Sequence, residues 1–221
     1  MVVNRMFRPS FRALFLTAFL AAVCAAATTQ AQEPEAIKEH FAEAVERAGQ
    51  SVVLVSTRPE MCDTAEQAAP ASPVFHNTGY FVSTGGEVLT TLLGVAGCSD
   101  IRVTYRPDTG QPVQVPASIK AVDQAAGLAL LECKLEDTPP LALAPAMPDP
   151  GSMLMLATRD ARAGLLVQPG LVMPRREDLR LNGVAWQDMP LTVLYVKPGA
   201  AAAPLLDSDG RLCAAVLAVR A

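Results

Sequence analysis

Hydrolysis by a serine or cysteine nucleophile needs that nucleophile, a base within hydrogen-bond reach of it and a carboxylate that orients the base. Candidates are few: two histidines and five cysteines in 221 residues. His40 falls in a stretch of helical spacing, and His76 stands beside the loop that enters the second strand, where a histidine reads as a solvated loop residue rather than a base. Lys197 precedes a turn that would have to present a serine to it, and the turn, Pro198 to Ala203, has none. Cys213 lies within an apolar run, where a thiol is usually buried and inert. The histidines and cysteines show no short paired spacing of the kind zinc uses, so neither a metal nor another cofactor is expected.

That turn belongs to a longer stretch, Tyr195 to Ala214, with a legible frame. Pro198-Gly199 enters it, Pro204-Leu205-Leu206 leaves it, and Asp207-Ser208-Asp209-Gly210 makes a hairpin before a second apolar run. The rest of the chain must position this stretch. Arg5, Arg8 and Arg12 precede an apolar run from Ala13 to Ala27, the pattern of a secretory signal. It is short for a membrane span, and the small residues Thr29-Gln30-Ala31 suit a peptidase, with Ala25-Ala26-Ala27 as a second choice. The expected parts are therefore a signal at 1–31 and a secreted or periplasmic domain at 32–221, with no membrane span once the signal is removed. Removing 1–31 takes away three arginines and no acids, moving the formal charge from −4 to −7. An acidic chain without basic clusters is not expected to bind nucleic acid. Export lets thiols pair, and Cys62, Cys98, Cys133 and Cys213 remain. Cys62 with Cys98 is the preferred pair, since both lie in connections around the same early strands; buried free thiols are the alternative.

Ile37, Phe41, Val45 and Ala48 recur at near four-residue spacing, which predicts a helix over 33–49 ended by Gly49. Beyond it, short β-like runs follow one another between Gly, Pro, Asp and Ser. Six fall in 51–137: Ser51–Thr57, Thr78–Ser83, Glu87–Thr91, Ile101–Tyr105, Val113–Val122 and Leu128–Lys134. A proline-rich connection at 138–150 separates them from about six more in 151–221: Met153–Thr158, Leu165–Gln168, Leu171–Pro174, Leu191–Lys197, Pro204–Asp207 and Leu212–Val219. Glu66–Val74 and the charged segment Arg175–Trp186 read as exposed loops, with Trp186 filling core. Two six-stranded halves and a linker predict paired antiparallel β-barrels, an all-β fold with one short amino-terminal helix.

Three fragments in order resemble the trypsin-like serine proteases, and most closely the bacterial HtrA/Deg group. Asn77-Thr78-Gly79-Tyr80-Phe81-Val82, then Leu89-Thr90-Thr91-Leu92-Leu93-Gly94-Val95, is similar to that group's strand, hairpin and Leu-Thr-Asn-x-His-Val-Val. Gly127-Leu128-Ala129-Leu130-Leu131 is similar to its Asp-Leu-Ala-Leu-Leu. Pro198-Gly199-Ala200-Ala201-Ala202-Ala203-Pro204-Leu205 is similar to its Pro-Gly-Asn-Ser-Gly-Gly-Pro-Leu. The resemblance implies barrels of the chymotrypsin type. It also implies that Leu93 stands at the histidine position, Gly127 at the aspartate position and Ala201 at the nucleophile position. The backbone N–H groups near Gly199 and Ala201 are then the remnant of an oxyanion hole.

On that basis the chain is expected to be a non-enzyme: an inactive homologue that binds a peptide or an unfolded or exported protein by strand addition. Assembly with itself or with an active protease of the same family is a further expectation. One alternative is a serine endopeptidase or esterase with relocated catalytic groups, and another is a structural exported interaction protein.

Overall fold

The computed structural model describes residues 33–58, 74–106, 110–162, 164–181, 183–194 and 200–216. The chain divides into two compact units, 1–40 and 41–221. Of the first, residues 33–40 are helical, and the signal assigned to 1–31 lies outside the described residues. Among the described residues no helix is long and apolar enough to cross a membrane.

Helix α1, Glu33–Ser51, runs past the glycine expected to end it. Gly49 does not take the left-handed conformation of a helix-ending glycine. Its lack of a side chain serves packing instead, since a Cβ there would stand 3.0 Å from Leu165. From position 41 on, α1 shows the interior Ala44 and Ala48, with Phe41 and Val45 packed beside them.

The first six strands are β1 (Val52–Thr57), β2 (Phe75–Phe81), β3 (Glu87–Thr91), β4 (Ile101–Tyr105), β5 (Val113–Asp123) and β6 (Leu128–Cys133). They close in the order β1-β2-β3-β6-β5-β4. Their core of Val53, Val55, Phe81, Val88, Val103 and Leu131 is fully dry. Side chains of this size each contribute about 1.5–3 kcal/mol on burial. Gly79 sets how tightly the wall closes: a Cβ there would meet Val88 at 2.7 Å and Val55 at 2.9 Å.

The second half departs from expectation. Its strands are β7 (Met153–Asp160), β8 (Gly164–Leu181), β9 (Val184–Leu194), β10 (Pro204–Leu206) and β11 (Leu212–Ala215). They form a five-stranded sheet in the order β11-β10-β7-β8-β9, so among the described residues this half is an incompletely closed barrel rather than a six-stranded one. The runs Leu165–Gln168 and Leu171–Pro174 are one strand. Pro169-Gly170 reads locally as a turn, but pairing with β7 holds it extended, and tertiary context overrides the local signal. The supposed loop Arg175–Trp186 is mostly the arm of the β8–β9 hairpin. Its charges are those of a solvated strand pair, with Arg176 on Asp188 at 2.8 Å and Arg175 on Glu177 at 2.9 Å. Asn-Gly in a sequence is a strong hairpin signal, and Gly183, between β8 and β9, takes the positive φ, 80°, that such turns need. Trp186 lies on this arm, half-buried opposite Leu179, rather than in a core.

The linker is ordered by hydrogen bonds at both ends. Thr138 Oγ1 donates to Ser83 O at 2.8 Å and accepts from Gly86 N–H at 3.2 Å. Farther on, Leu212 N–H donates to Ala142 O at 2.7 Å and Ala144 N–H to Leu212 O at 2.9 Å. Between barrel and sheet lies a shared apolar layer of Val52, Tyr80, Met155, Ala157 and Leu206 under α1. Burial pushes the Tyr80 hydroxyl up to about 12. Arg159 on β7 pins this layer. Its guanidinium donates to Gly49 O and to Val52 O at 2.8 and 3.0 Å, and its N–H donates to Thr78 Oγ1 at 3.1 Å.

Cys133 and Cys213 are free thiols. Cys98 is held in a disulfide, and Cys62, its expected partner, lies outside the described residues.

Candidate functional site

Leu93, Gly127 and Ala201 fall in three connections. Leu93 sits between β3 and β4 on a single 3-10 turn, Leu92–Gly94, and is 88% exposed. A hydrogen bond from β1 holds that turn, Thr57 Oγ1 donating to Gly94 O at 3.0 Å, and the strand leading into it is tied to β2 by Thr90 Oγ1 donating to Thr78 O at 2.8 Å. Gly127 precedes β6 with φ 67°, and its carbonyl accepts from Leu92 N–H at 2.8 Å. The fold therefore brings the Leu93 and Gly127 positions together by a backbone bond.

Ala201 belongs to the second sheet, in the connection from β9 to β10. Ala203 N–H donates to Ala200 O at 3.0 Å, closing a four-residue turn around Ala201 and Ala202. Ala202 has φ 61°, where the steric cost to a side chain favours glycine. Ala202 N–H and Val216 O pair at 2.9 Å, and Val216 N–H donates to Ala203 O at 3.0 Å. Ala200 and Ala203 are buried with Leu156, Leu205 and Val216. The methyls thus fill a small apolar pocket while the turn holds its shape by backbone bonds. Ala201 makes no hydrogen bond to the Leu93 or Gly127 positions. Gly199, the other expected donor of the oxyanion-hole remnant, lies outside the described residues, as do Lys197 and Pro198.

One pair of chemical interest was not foreseen. His76 is on β2 rather than in a loop, and its register partner on β1 is Ser56. Ser56 Oγ and His76 Nδ1 are 3.1 Å apart. Strand pairing brings them together across twenty residues, so only a correct β1–β2 register could have found the pair. On the other flank Ser56 faces Arg102, which bonds Asp100 at 2.7 Å. The Arg102 hydrogen bond is the main cause holding the Asp100 carboxyl below its ordinary value; desolvation opposes it, and the Arg102 and Arg58 charges add to the lowering. Ser56 itself is only 5% exposed. Both free thiols are pushed up to about 11, chiefly by burial, the opposite of what a nucleophile needs. Among the described residues no three His, Cys, Asp or Glu side chains form a group that could hold a metal ion.

Residues 77–214 match the model of the trypsin-like peptidase domain. No curated protein sequence matches the chain. Among solved structures it is similar to Deg5, with TM-score 0.65 and 17% identity over 81% of this chain and 84% of that one. The HtrA-type protease AlgW with a tripeptide gives TM-score 0.61 and 23% identity over 78% of this chain and 52% of that one, so the chain spans about half of AlgW. The MamO protease domain of Magnetospirillum magneticum gives TM-score 0.59 and 23% identity over 75% of this chain and 82% of that one. These likenesses correct the expectation of a non-enzyme: a peptidase-domain match with HtrA-type protease neighbours points to a protease.

Proposed function

The chain belongs to the trypsin-like peptidase domain family, and on that premise we propose that it is an exported HtrA-type domain that recognises an extended polypeptide segment. We further propose that Leu93, Gly127 and Ala201 occupy the family's triad positions. The observation that carries this reading is the Ala200–Ala203 turn, which keeps the left-handed residue of a tight turn at Ala202 although every side chain in it is a methyl. Ala201 is the one residue of that turn that is not buried, and on this reading it is where the turn meets a ligand. Its partners on this reading are a peptide, an unfolded or exported protein, or an active protease of the same family. Residues 1–31 direct it to the periplasm or outside the cell, and amino-terminal sequencing of the processed protein checks the cut.

The proteolysis to which the family points would then draw on other groups. Ser56 with His76 is the specific alternative, because a serine and a histidine within hydrogen-bond distance are two-thirds of the needed constellation. Its weakness is the burial of Ser56. One experiment separates the two readings: the processed protein is treated with a fluorophosphonate probe, then mixed with a fluorescent extended-peptide panel and assayed for binding and cleavage. Saturable peptide binding is the expected result. Label on Ser56 that vanishes in Ser56→Ala would assign the family's proteolysis to Ser56 and His76, and absence of any peptide binding would remove the recognition reading.

A further inference from the structure

Two guanidiniums converge at the start of β1 with no carboxylate between them. Arg159 reaches there from β7, and its Nε and Nη2 are spent on the carbonyls of Gly49 and Val52, where α1 gives way to β1. α1 has no basic residue in its own last turn, so Arg159 supplies the cation that a helix C-terminus attracts. That leaves Nη1, which has two N–H donors, no hydrogen-bond partner among the described residues and access to solvent. Arg106 comes from the other side. β1 and β4 are antiparallel, with Val55 opposite Val103 and Leu54 opposite Thr104. Carried two residues farther, that register sets Arg106 opposite Val52, whose carbonyl Arg159 holds. Arg106 is exposed, and among the described residues neither arginine forms an ion pair. Their charges are close enough to act on each other: the Arg159 guanidinium is held below its ordinary value by burial first and by Arg106 second.

We infer that Arg106 and the unused Nη1 edge of Arg159 form a carboxylate-binding site at the junction of α1, β1 and β4. Two positive charges stand there, and the end of α1 offsets only roughly half of one. A partly buried charge is ordinarily paired, and the nearby acids do not pair with these. The Asp160 carboxylate, next along β7, accepts from Arg162 N–H at 2.8 Å. Glu46, one turn before Gly49 on α1, bonds neither arginine. A guanidinium fork matches the two oxygens of a carboxylate. Arg106 offers one whole fork and Arg159 one nitrogen, donors suited to two oxygens in a plane rather than four in a tetrahedron. A bound carboxylate would tie the barrel, through Arg106, to β7 of the second sheet, through Arg159. The site lies at the opposite end of β1 from Ser56 and involves no part of the Ala200–Ala203 turn, so it stands or falls apart from polypeptide recognition.

The test titrates the processed protein, labelled with nitrogen-15 in its arginines, with acetate and with the acid of acetyl-Gly-Gly-Ala, chloride holding the ionic strength constant. The amide of the same peptide and inorganic phosphate are the controls. Saturable shifts are expected in two arginine Nε–H signals, those lost in Arg106→Gln and in Arg159→Lys. Arg106→Gln, a change at an exposed position, weakens binding by at least about tenfold, as loss of a charge-assisted hydrogen bond requires. Arg106→Lys keeps the charge without the fork and recovers part of the loss. Arg180→Gln, the same charge change on the β8–β9 arm, leaves the affinity within about twofold. The Arg106 variants decide the question even where Arg159→Lys fails to fold. Tighter binding of the peptide acid than of acetate assigns the carboxylate to a polypeptide terminus, equal binding assigns it to a small organic acid, and either upholds the site. Four results overturn it: shifts that never saturate, the amide binding as well as the acid, phosphate preferred to acetate, or an affinity unchanged in Arg106→Gln.

Discussion

The first barrel and the second sheet share a strand order but not a core. The first closes around Phe81, Leu131 and four valines, none of them exposed. The second buries Leu156 and Leu205 against alanines at 200 and 203 and leaves β11 half open. In the first, the sixth strand makes the difference between a wall and a core: it supplies Leu131 inward and pairs with both neighbours. In the second, small residues and a backbone turn stand where a larger core would need more side chains. One half is a closed, dry ring; the other, among the described residues, is a five-stranded sheet.

The largest test of that contrast is truncation of equivalent leucines. Leu131→Ala, in the closed core, should cost about 3 kcal/mol in urea unfolding, and Leu212→Ala, at the half-open β11, about 1 kcal/mol. Equal losses would break the contrast. Next comes the pin between halves: Arg159→Met leaves the Gly49 and Val52 carbonyls without their donor and should cost about 2 kcal/mol. Faster amide exchange concentrated in β7 and β8 is the accompanying sign.

The third test is pH. Cys133 is raised to about 11 and Tyr80 to about 12, so at alkaline pH the folded state binds more protons than the unfolded one and stability falls as pH rises. The loss begins above the ordinary thiol range near 9 and continues through the folded values. At about pH 10 it should reach about 1 kcal/mol from Cys133, and Cys133→Ala should flatten the profile. Cys213→Ala, at the more open position, should flatten it less. The smallest effect is at the turn. Ala202→Gly relieves a left-handed alanine but frees the unfolded chain, for a net gain of at most about 1 kcal/mol.

Much of the fold was legible because period and punctuation agree. Glu87–Thr91 and Ile101–Tyr105 alternate between clear turn residues, and their bounds are those expected. The hairpin at Asp207 was readable from its composition, and Asp207 Oδ1 accepts from the N–H groups of Asp209 and Arg211 as such a turn requires. What misled was local chemistry overruled by pairing: Pro169-Gly170 inside β8, and charges on the Arg175–Trp186 arm that belong to a solvated hairpin. That the second half shows five strands among the described residues was not legible, since apolar runs can be counted but their neighbours cannot. At the candidate site, Leu93, Gly127 and Ala201 were named from flanking residues, and their roles stand as proposals. Ser56 could not, because its partner is set by register and not by spacing.

Amide hydrogen exchange of the free protein tests the central claim most directly. Protection approaching the global stability is expected along β3, β5 and β6, with much weaker protection for the outward amides of β9 and of Cys213 to Ala215. Protection of β9 and β11 equal to that of β3 and β5 would mean that the second ring is already closed, and the contrast between the halves would be contradicted.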